Sequence, residues 1–399
     1  MSEPELHDRV AVLSGRLGYA LAPASDLAPE LLQQWNRESA NDRFVCVDDE
    51  FVYARFFADF GPLNLAQTVR FCREIDERLR DADNGGSTKV GDRETTRSVA
   101  HTLVLVSSAH PHKRANAMTL LALYLVMRHG RTPEQAVAPF ADLRAPFGFR
   151  DAACGICSFF LTALDCARAV HKAMRTGIWS WEAFSVPAYE HLDELHNGDM
   201  NWIVPGKILA FSGPQRERVE LDGDAQGRQR ATLLAPEYAA LFRGQLGVRC
   251  VVRLNESSTY DRKAFLHAGI KHLDLEFPDG GNPPDEILYK FIRTCERASG
   301  AVAVHCTAGL GRTGTMIAAF LIKNLRFTAP EAIAWCRLCR PGSIVGPQQQ
   351  FLLVKQRELF QLAPSRTADV ASRSLAPLTK KQPPLQRIVL RSTTALRGR

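Results

Sequence analysis

Apolar residues along the chain fall into two rhythms that alternate. Thr102 to Val106, Val248 to Leu254, His272 to Glu276 and Ala301 to Val304 are short runs rich in β-branched residues, the pattern of strands buried in a sheet. Between them, Leu65 to Leu79, Leu161 to Met174, Pro284 to Arg297 and the stretch through Met316, Ile317, Phe320 and Leu321 carry apolar residues at helical spacing. Tyr260 to Ala268 predicts a further helix, and Asn201 to Gly213 is strand-like with turn punctuation. The first 45 residues predict a short helix or two leading to an extended piece, Arg43 to Val47. Asp81 to Thr96 predicts a mobile polar loop, and Gln215 to Arg230 a charged surface loop. Strands alternating with helices imply α/β architecture, a mostly parallel sheet with helices on both faces.

The pattern repeats within the chain. Thr102 to Val106 runs into Ser108-Ala-His-Pro-His-Lys-Arg114, and Ala301 to Val304 runs into Cys306-Thr-Ala-Gly-Leu-Gly-Arg312, with the same seven-residue spacing. Ala115 to Tyr124 then answers Thr313 to Phe320, and Thr132-Pro-Glu-Gln-Ala-Val answers Ala329-Pro-Glu-Ala-Ile, with a proline opening a helix in each copy. Two copies of one α/β domain follow. The expected bounds are 1–175 for the first domain, 176–200 for a helical linker, 201–362 for the second domain and 363–399 for a tail.

Composition narrows the function classes. The chain has 399 residues, 45% of them hydrophobic and 23% charged, enough to bury a large core. Its net charge of +7 is confined to the tail, where eight Lys or Arg stand against Asp369. The remainder balances 42 basic against 42 acidic residues, so the folded body is not a basic nucleic-acid binder. The tail, basic and poor in aromatics, is expected to be disordered. No apolar run approaches a membrane span, and no signal peptide is visible at the start, so the expected setting is the cytosol or nucleus. Ten cysteines in a chain this long do not make a disulfide framework. Cys154 with Cys157 and Cys336 with Cys339 have zinc-like spacing, but apolar surroundings favour core roles.

Candidate chemistry concentrates between Ala301 and Thr315. A strand, a tight loop with Gly309 and Gly311, and a helix make a nest of inward N–H groups shaped for a phosphate. Cys306 stands at its mouth, where those dipoles favour the thiolate, a nucleophile. Arg312 can grip two phosphoryl oxygens at once, and the Thr313 hydroxyl can donate to the thiolate as it leaves. Hydrolysis through a phosphocysteine also needs an acid that later serves as base. Asp279, between Pro278 and two glycines at a strand end, is that candidate; Asp274 and Asp285 are the alternatives. No metal ligand set or cofactor motif is needed or found.

At this point the chain resembles the cell-division-cycle-fourteen family of dual-specificity phosphatases. The shared stretches are Phe57 to Leu65, Lys113 to Ala117, Phe149 to Ala152, Asn197 to Asp199, Asn201 to Lys207, Val252 to Asn255, His305 to Thr315 and Arg340 to Leu352. The resemblance implies two tandem dual-specificity-phosphatase-like domains, of which only the second is catalytic. It implies Cys306 as nucleophile, Arg312 as phosphate clamp, Asp279 as general acid, and Thr307, Ala308, Gly309, Leu310 and Gly311 as the phosphate-binding backbone. It further implies an acidic groove, carried onto Glu190, Asp193 and Asp199, that reads a basic residue after phosphoserine-proline. It also implies a glutamine among Gln348 to Gln350 to position the hydrolytic water, with Gln348 as the candidate. Partners are then phosphoproteins with pSer-Pro-x-Lys/Arg motifs, reversing cyclin-dependent kinase phosphorylation at mitotic exit. The setting is nucleus and cytoplasm, with nucleolus, spindle or centrosome as further places. The chain departs from the family at Thr307, where the family usually has Lys. Competing expectations are a phosphoinositide or RNA-end phosphatase, and a phospho-binding scaffold without turnover.

Overall fold

The computed structural model describes residues 7–23, 27–83, 101–221 and 230–362. Most of the polar stretch 81–96, the tip of the 215–230 loop and the whole tail from 363 lie outside those residues. The chain divides into two compact units, and the division is not sequential. The first comprises 1–55, 62–149 and 160–171; the second takes the remainder, including the short segments Phe56–Gly61 and Arg150–Phe159.

In the first unit, β1 (His7–Leu13), β2 (Leu17–Leu21), β3 (Asp42–Val45) and β4 (Thr102–Ser107) form a sheet ordered β1-β2-β4-β3. The β1–β2 pair is antiparallel, and β4 lies parallel to both β2 and β3. Helices α1 (Pro29–Glu38), α2 (Leu65–Asp83), α3 (Pro111–His129), α4 (Pro133–Val137) and α5 (Ala163–Arg175) complete it. Helix α3 is apolar on nearly every side and buried from Arg114 to Met127. Thr132 and Gln135 close a reciprocal capping box at the start of α4.

The second unit carries α6 (Val186–Asp193), β5 (Met200–Val204), β6 (Ile208–Phe211), the small hairpin β7 (Glu220–Leu221) and β8 (Arg230–Ala231), and α7 (Ala235–Leu241). There follow β9 (Val248–Arg253), α8 (Lys263–His267), β10 (Lys271–Asp274), α9 (Asp285–Arg297) and β11 (Ala301–His305). The chain then forms α10 (Gly311–Leu325), α11 (Ala329–Cys339) and α12 (Pro347–Leu362). Its sheet is ordered β10-β9-β11-β6-β5 and is parallel except for the β5–β6 hairpin. One sheet face packs on Phe211, Tyr238, Phe242 and Phe265, whose rings meet edge-on, tilted or stacked. Trp335 is fully buried within α11 and donates Nε1–H to the Ile203 carbonyl.

The duplication is written in the topology. Each sheet starts with an antiparallel hairpin whose second strand lies parallel to the strand that feeds the seven-residue loop. The third strand of each set, β3 or β9, flanks that feeding strand on its other side. The second sheet adds β10 outside β9. The N-terminal hairpin replaces the helices expected for the first residues. Gly15, at φ +68°, turns Leu13 back onto Leu17, and β2 then finds β4 far along the chain. Among the described residues, no helix is long and apolar enough to cross a membrane.

Candidate active site

Strand β11 is buried at every position and delivers Cys306, only 3% exposed, to the edge of the loop that becomes α10. Four successive carbonyls of this loop are anchored from outside. The Cys306 carbonyl lies 2.9 Å from His305 Nδ1, and the Thr307 carbonyl accepts Gly213 N–H at 3.0 Å. The Ala308 and Gly309 carbonyls accept Nη2–H and Nε–H of Arg340 at 3.0 and 2.9 Å. In a trans peptide the N–H points opposite to the C=O, so the amides of residues 307 to 310 turn the other way, into the loop. Gly309 is required twice over. Its φ is +68°, and a Cβ there would lie 2.1 Å from the Phe211 carbonyl oxygen.

Arg312 is 1% exposed and held in place by backbone oxygens. Its Nη1 donates to Phe277 O at 3.0 Å and Leu254 O at 3.3 Å, and its Nη2 donates to Thr307 Oγ1 at 3.1 Å. Thr307, where the resemblance leads one to expect a lysine, thus sets a hydroxyl against the guanidinium. Asp279 Oδ1 stands 3.0 Å from Arg312 Nε in an ion pair that lacks hydrogen-bond alignment. The Nε–H is thus left without a hydrogen-bond acceptor among the described residues, beside a carboxylate that is 76% exposed, and a phosphoryl oxygen can use it. Gly280, at φ +67°, follows it and donates its N–H back to Asp279 Oδ1. Neither alternative acid stands there: Asp274 pairs with Arg253 and Arg262, and Asp285 with Lys355.

Thr313 is fully buried, and its hydroxyl has no hydrogen-bond partner among the described residues. Gln348 is the buried glutamine that spans the two loops. Its Nε2 donates to Gly281 O at 3.2 Å, its Oε1 accepts Val345 N–H, and a Cβ on Gly311 would lie 3.1 Å from that oxygen. Gln349 turns to Arg337, and Gln350 to Ser158.

Asp193 accepts Asn201 Nδ2–H at 2.7 Å, and burial pushes its carboxyl above the usual carboxylate range. Asp199 Oδ1 pairs with Arg340 Nη1 at 2.8 Å. Glu190 lies on α6 one turn before Asp193.

A family profile described as "Dual specificity protein phosphatase, N-terminal half" matches residues 12–173. A second, "Polymorphic toxin system, DSP-PTPase phosphatase", matches residues 225–325. The dual specificity protein phosphatase CDC14B of Mus musculus is 43% identical over 328 residues, covering 81% of this chain and 62% of the mouse protein. CDC14AB of Danio rerio is 44% identical over 327 residues, covering 81% of this chain and 50% of the zebrafish protein. CDC14C of Homo sapiens is 41% identical over 327 residues, covering 81% of this chain and 68% of the human protein.

This chain belongs to the CDC14 family of dual-specificity phosphatases. It spans between half and about two thirds of the length of these relatives.

The corresponding loop of the first unit bonds elsewhere in that unit. Asp48 Oδ2 accepts Ser108 N–H at 2.8 Å, and Arg114 Nη2 turns to the Ala145 carbonyl at 2.7 Å. With Ser in place of the thiol and no glycines, this CDC14-type N-terminal copy has neither nucleophile nor open clamp.

Sequence reasoning missed the residues behind the catalytic loop. A carbonyl oxygen can only accept, so His305 Nδ1 carries the proton toward Cys306 O and His305 Nε2 is an acceptor. Tyr260 Oη, 2.7 Å away, therefore donates to it and accepts from His272 Nε2 at 2.8 Å. Burial pushes His305 down to about 3 and His272 down to about 4, which keeps both rings neutral. Of this chain only His305, as the neighbour of the cysteine, carried a local signal. Burial likewise pushes the thiols of Cys250 and Cys336 up to about 11 and about 12, so they are inert core groups.

Proposed function

We propose that the protein hydrolyses phosphoserine, phosphothreonine and phosphotyrosine in proteins through a phosphocysteine on Cys306, without a metal or cofactor. The supporting observation is the convergence of buried Cys306, buried Arg312 and the Asp279 carboxylate on one inward-facing set of amides. In the first step Cys306 Sγ attacks phosphorus, the bond to the substrate oxygen breaks, and Asp279 supplies the proton that oxygen needs. Arg312 and the amides of residues 307 to 311 hold the equatorial oxygens as charge redistributes. In the second step water attacks phosphorus, Asp279 takes its proton, and the S–P bond breaks. The unpartnered Thr313 hydroxyl stabilises the returning thiolate, and the Gln348 amide, between Gly281 and Gly311, orients the water.

Glu190, Asp193 and Asp199 supply the negative surface that prefers a basic residue downstream of phosphoserine-proline, the motif of cyclin-dependent kinases. Nucleus and cytoplasm are the proposed setting. The test is Cys306→Ser in the full chain. Turnover of an aryl phosphate is expected to vanish while a phosphopeptide still binds; retained turnover would overturn the proposal. A panel of pSer, pThr and pTyr peptides, with and without a downstream Lys, and an inositol phosphate decides the substrate class. Preferred turnover of the inositol phosphate favours the lipid-directed alternative. Charge reversal at Glu190 and Asp193 that leaves the preference for Lys unaltered contradicts the groove.

A further inference from the structure

Arg340 ends α11 and is 3% exposed, so its charge and its donors must be met by protein. Among the described residues, its guanidinium hydrogen-bonds the phosphate loop, the acidic turn and Asn201 on β5. Nε donates to Gly309 O at 2.9 Å and Nη2 to Ala308 O at 3.0 Å. Nη1 donates to Asp199 Oδ1 at 2.8 Å and to Asn201 Oδ1 at 2.6 Å. Burial opposes its charge, and the Asp199 carboxylate overrides that opposition. Asn201 in turn donates Nδ2–H to Asp193.

The backbone is bent to make this contact. Asp199 has φ +44°, a left-handed conformation that non-glycine residues other than Asn and Asp seldom adopt. Its N–H is held by Glu194 O at 3.1 Å and its carbonyl by Ser212 N–H at 3.0 Å. The turn Asn197-Gly198-Asp199 so aims one carboxylate at Arg340.

We propose that Arg340 is a positioning residue for the phosphate loop, and that Asp199 acts on catalysis through it, beyond any contact with the substrate's basic side chain. The proposal rests on the phosphatase function above and deepens it. The planar guanidinium grips two adjacent carbonyls, which fixes the amides of Gly309 and Leu310 toward the phosphate. Asp199 sets the angle of that guanidinium. A lysine has the charge but cannot span both carbonyls and the carboxylate. The acidic turn that meets the substrate is therefore wired to the loop that binds its phosphate.

The experiment uses the full chain and an aryl phosphate, which has no downstream residue for an acidic groove to read. Arg340→Lys is expected to lower kcat by tenfold or more and to raise the Ki of inorganic phosphate, with the protein still folded by its thermal midpoint. Asp199→Ala is expected to lower kcat/KM three- to tenfold on the same substrate. Asp199→Asn, which keeps an acceptor and suits a left-handed turn, recovers part of that loss. Should Arg340→Lys fail to fold, the Asp199 pair decides alone. The proposal is overturned if Asp199→Ala matches wild type on the aryl phosphate, or if Asp199→Asn is as impaired as Asp199→Ala. Activity lost in Cys306→Ser alongside either of those results leaves the phosphatase function standing and removes only Arg340 and Asp199 from it.

Discussion

At the scale of residues, catalytic competence depends on which way small groups point. Thr307 shows this, because its side chain accepts Arg312 Nη2–H rather than presenting a cation. Thr307→Val keeps the shape and removes the acceptor. About 1 kcal/mol of hydrogen bonding is lost, so kcat/KM on an aryl phosphate is expected to fall about three- to tenfold. An unchanged value contradicts the orienting role. The candidate residues legible in the sequence were those whose chemistry is local. Cys306, Gly309, Gly311, Arg312 and Thr313 lie within one loop, and Asp279 is marked by the proline and glycines around it. Arg340, Tyr260 and His272 were illegible as site residues because each reaches the loop from another element, and a lone Arg, Tyr or His in a sequence carries no direction. Gln348 was separable from Gln349 and Gln350 only once their side-chain partners were known.

At the scale of elements, the strand, loop and helix from Ala301 to Leu325 form one device. The loop's carbonyls take their anchors from His305 at the end of β11, Gly213 after β6 and Arg340 at the end of α11, and its backbone comes close to β6 at Gly309. Gly309→Ala forces a left-handed alanine and drives Cβ into the Phe211 carbonyl. The expected result is a loss of roughly 2 kcal/mol or more of stability, read as a lower thermal midpoint, together with a weakened Ki for inorganic phosphate. Retention of both would mean the loop is looser than its hydrogen bonds require. The sequence patterns located α2, α9, α10, β4, β9 and β11 because each is long or strongly periodic. They missed the β1–β2 hairpin, whose strands are stabilised by pairing with the distant β4 rather than by local pattern. They overextended α8, which spans only Lys263–His267, because Tyr260 belongs to the hydrogen-bond chain and not to the helix.

At the scale of the whole molecule, a duplicated fold carries the cysteine loop in one copy, while in the other Ser108 N–H bonds Asp48 and Arg114 bonds the Ala145 carbonyl. The buried neutral histidines make its stability pH-dependent. His305 and His272 titrate near 6.5 when unfolded and at about 3 and about 4 when folded. The unfolded chain therefore binds more protons below about pH 6.5, so stability is full above that value and is lost as pH falls toward the folded pKa values. By pH 5 each ring costs about 1–2 kcal/mol. The slope of Tm between pH 7 and 5 is expected to be shallower in His272→Gln; an equal or steeper slope contradicts the neutral, buried assignment. The covalent step at Cys306 can be caught in Asp279→Asn. An aryl phosphate leaves without much help from an acid, but hydrolysis of the phosphoenzyme still lacks its base. Rapid acid quench followed by peptide mass spectrometry is expected to find phosphate on the peptide containing Cys306, accumulating as a burst. Continued turnover with no label there, or phosphate trapped on another residue, would contradict the account.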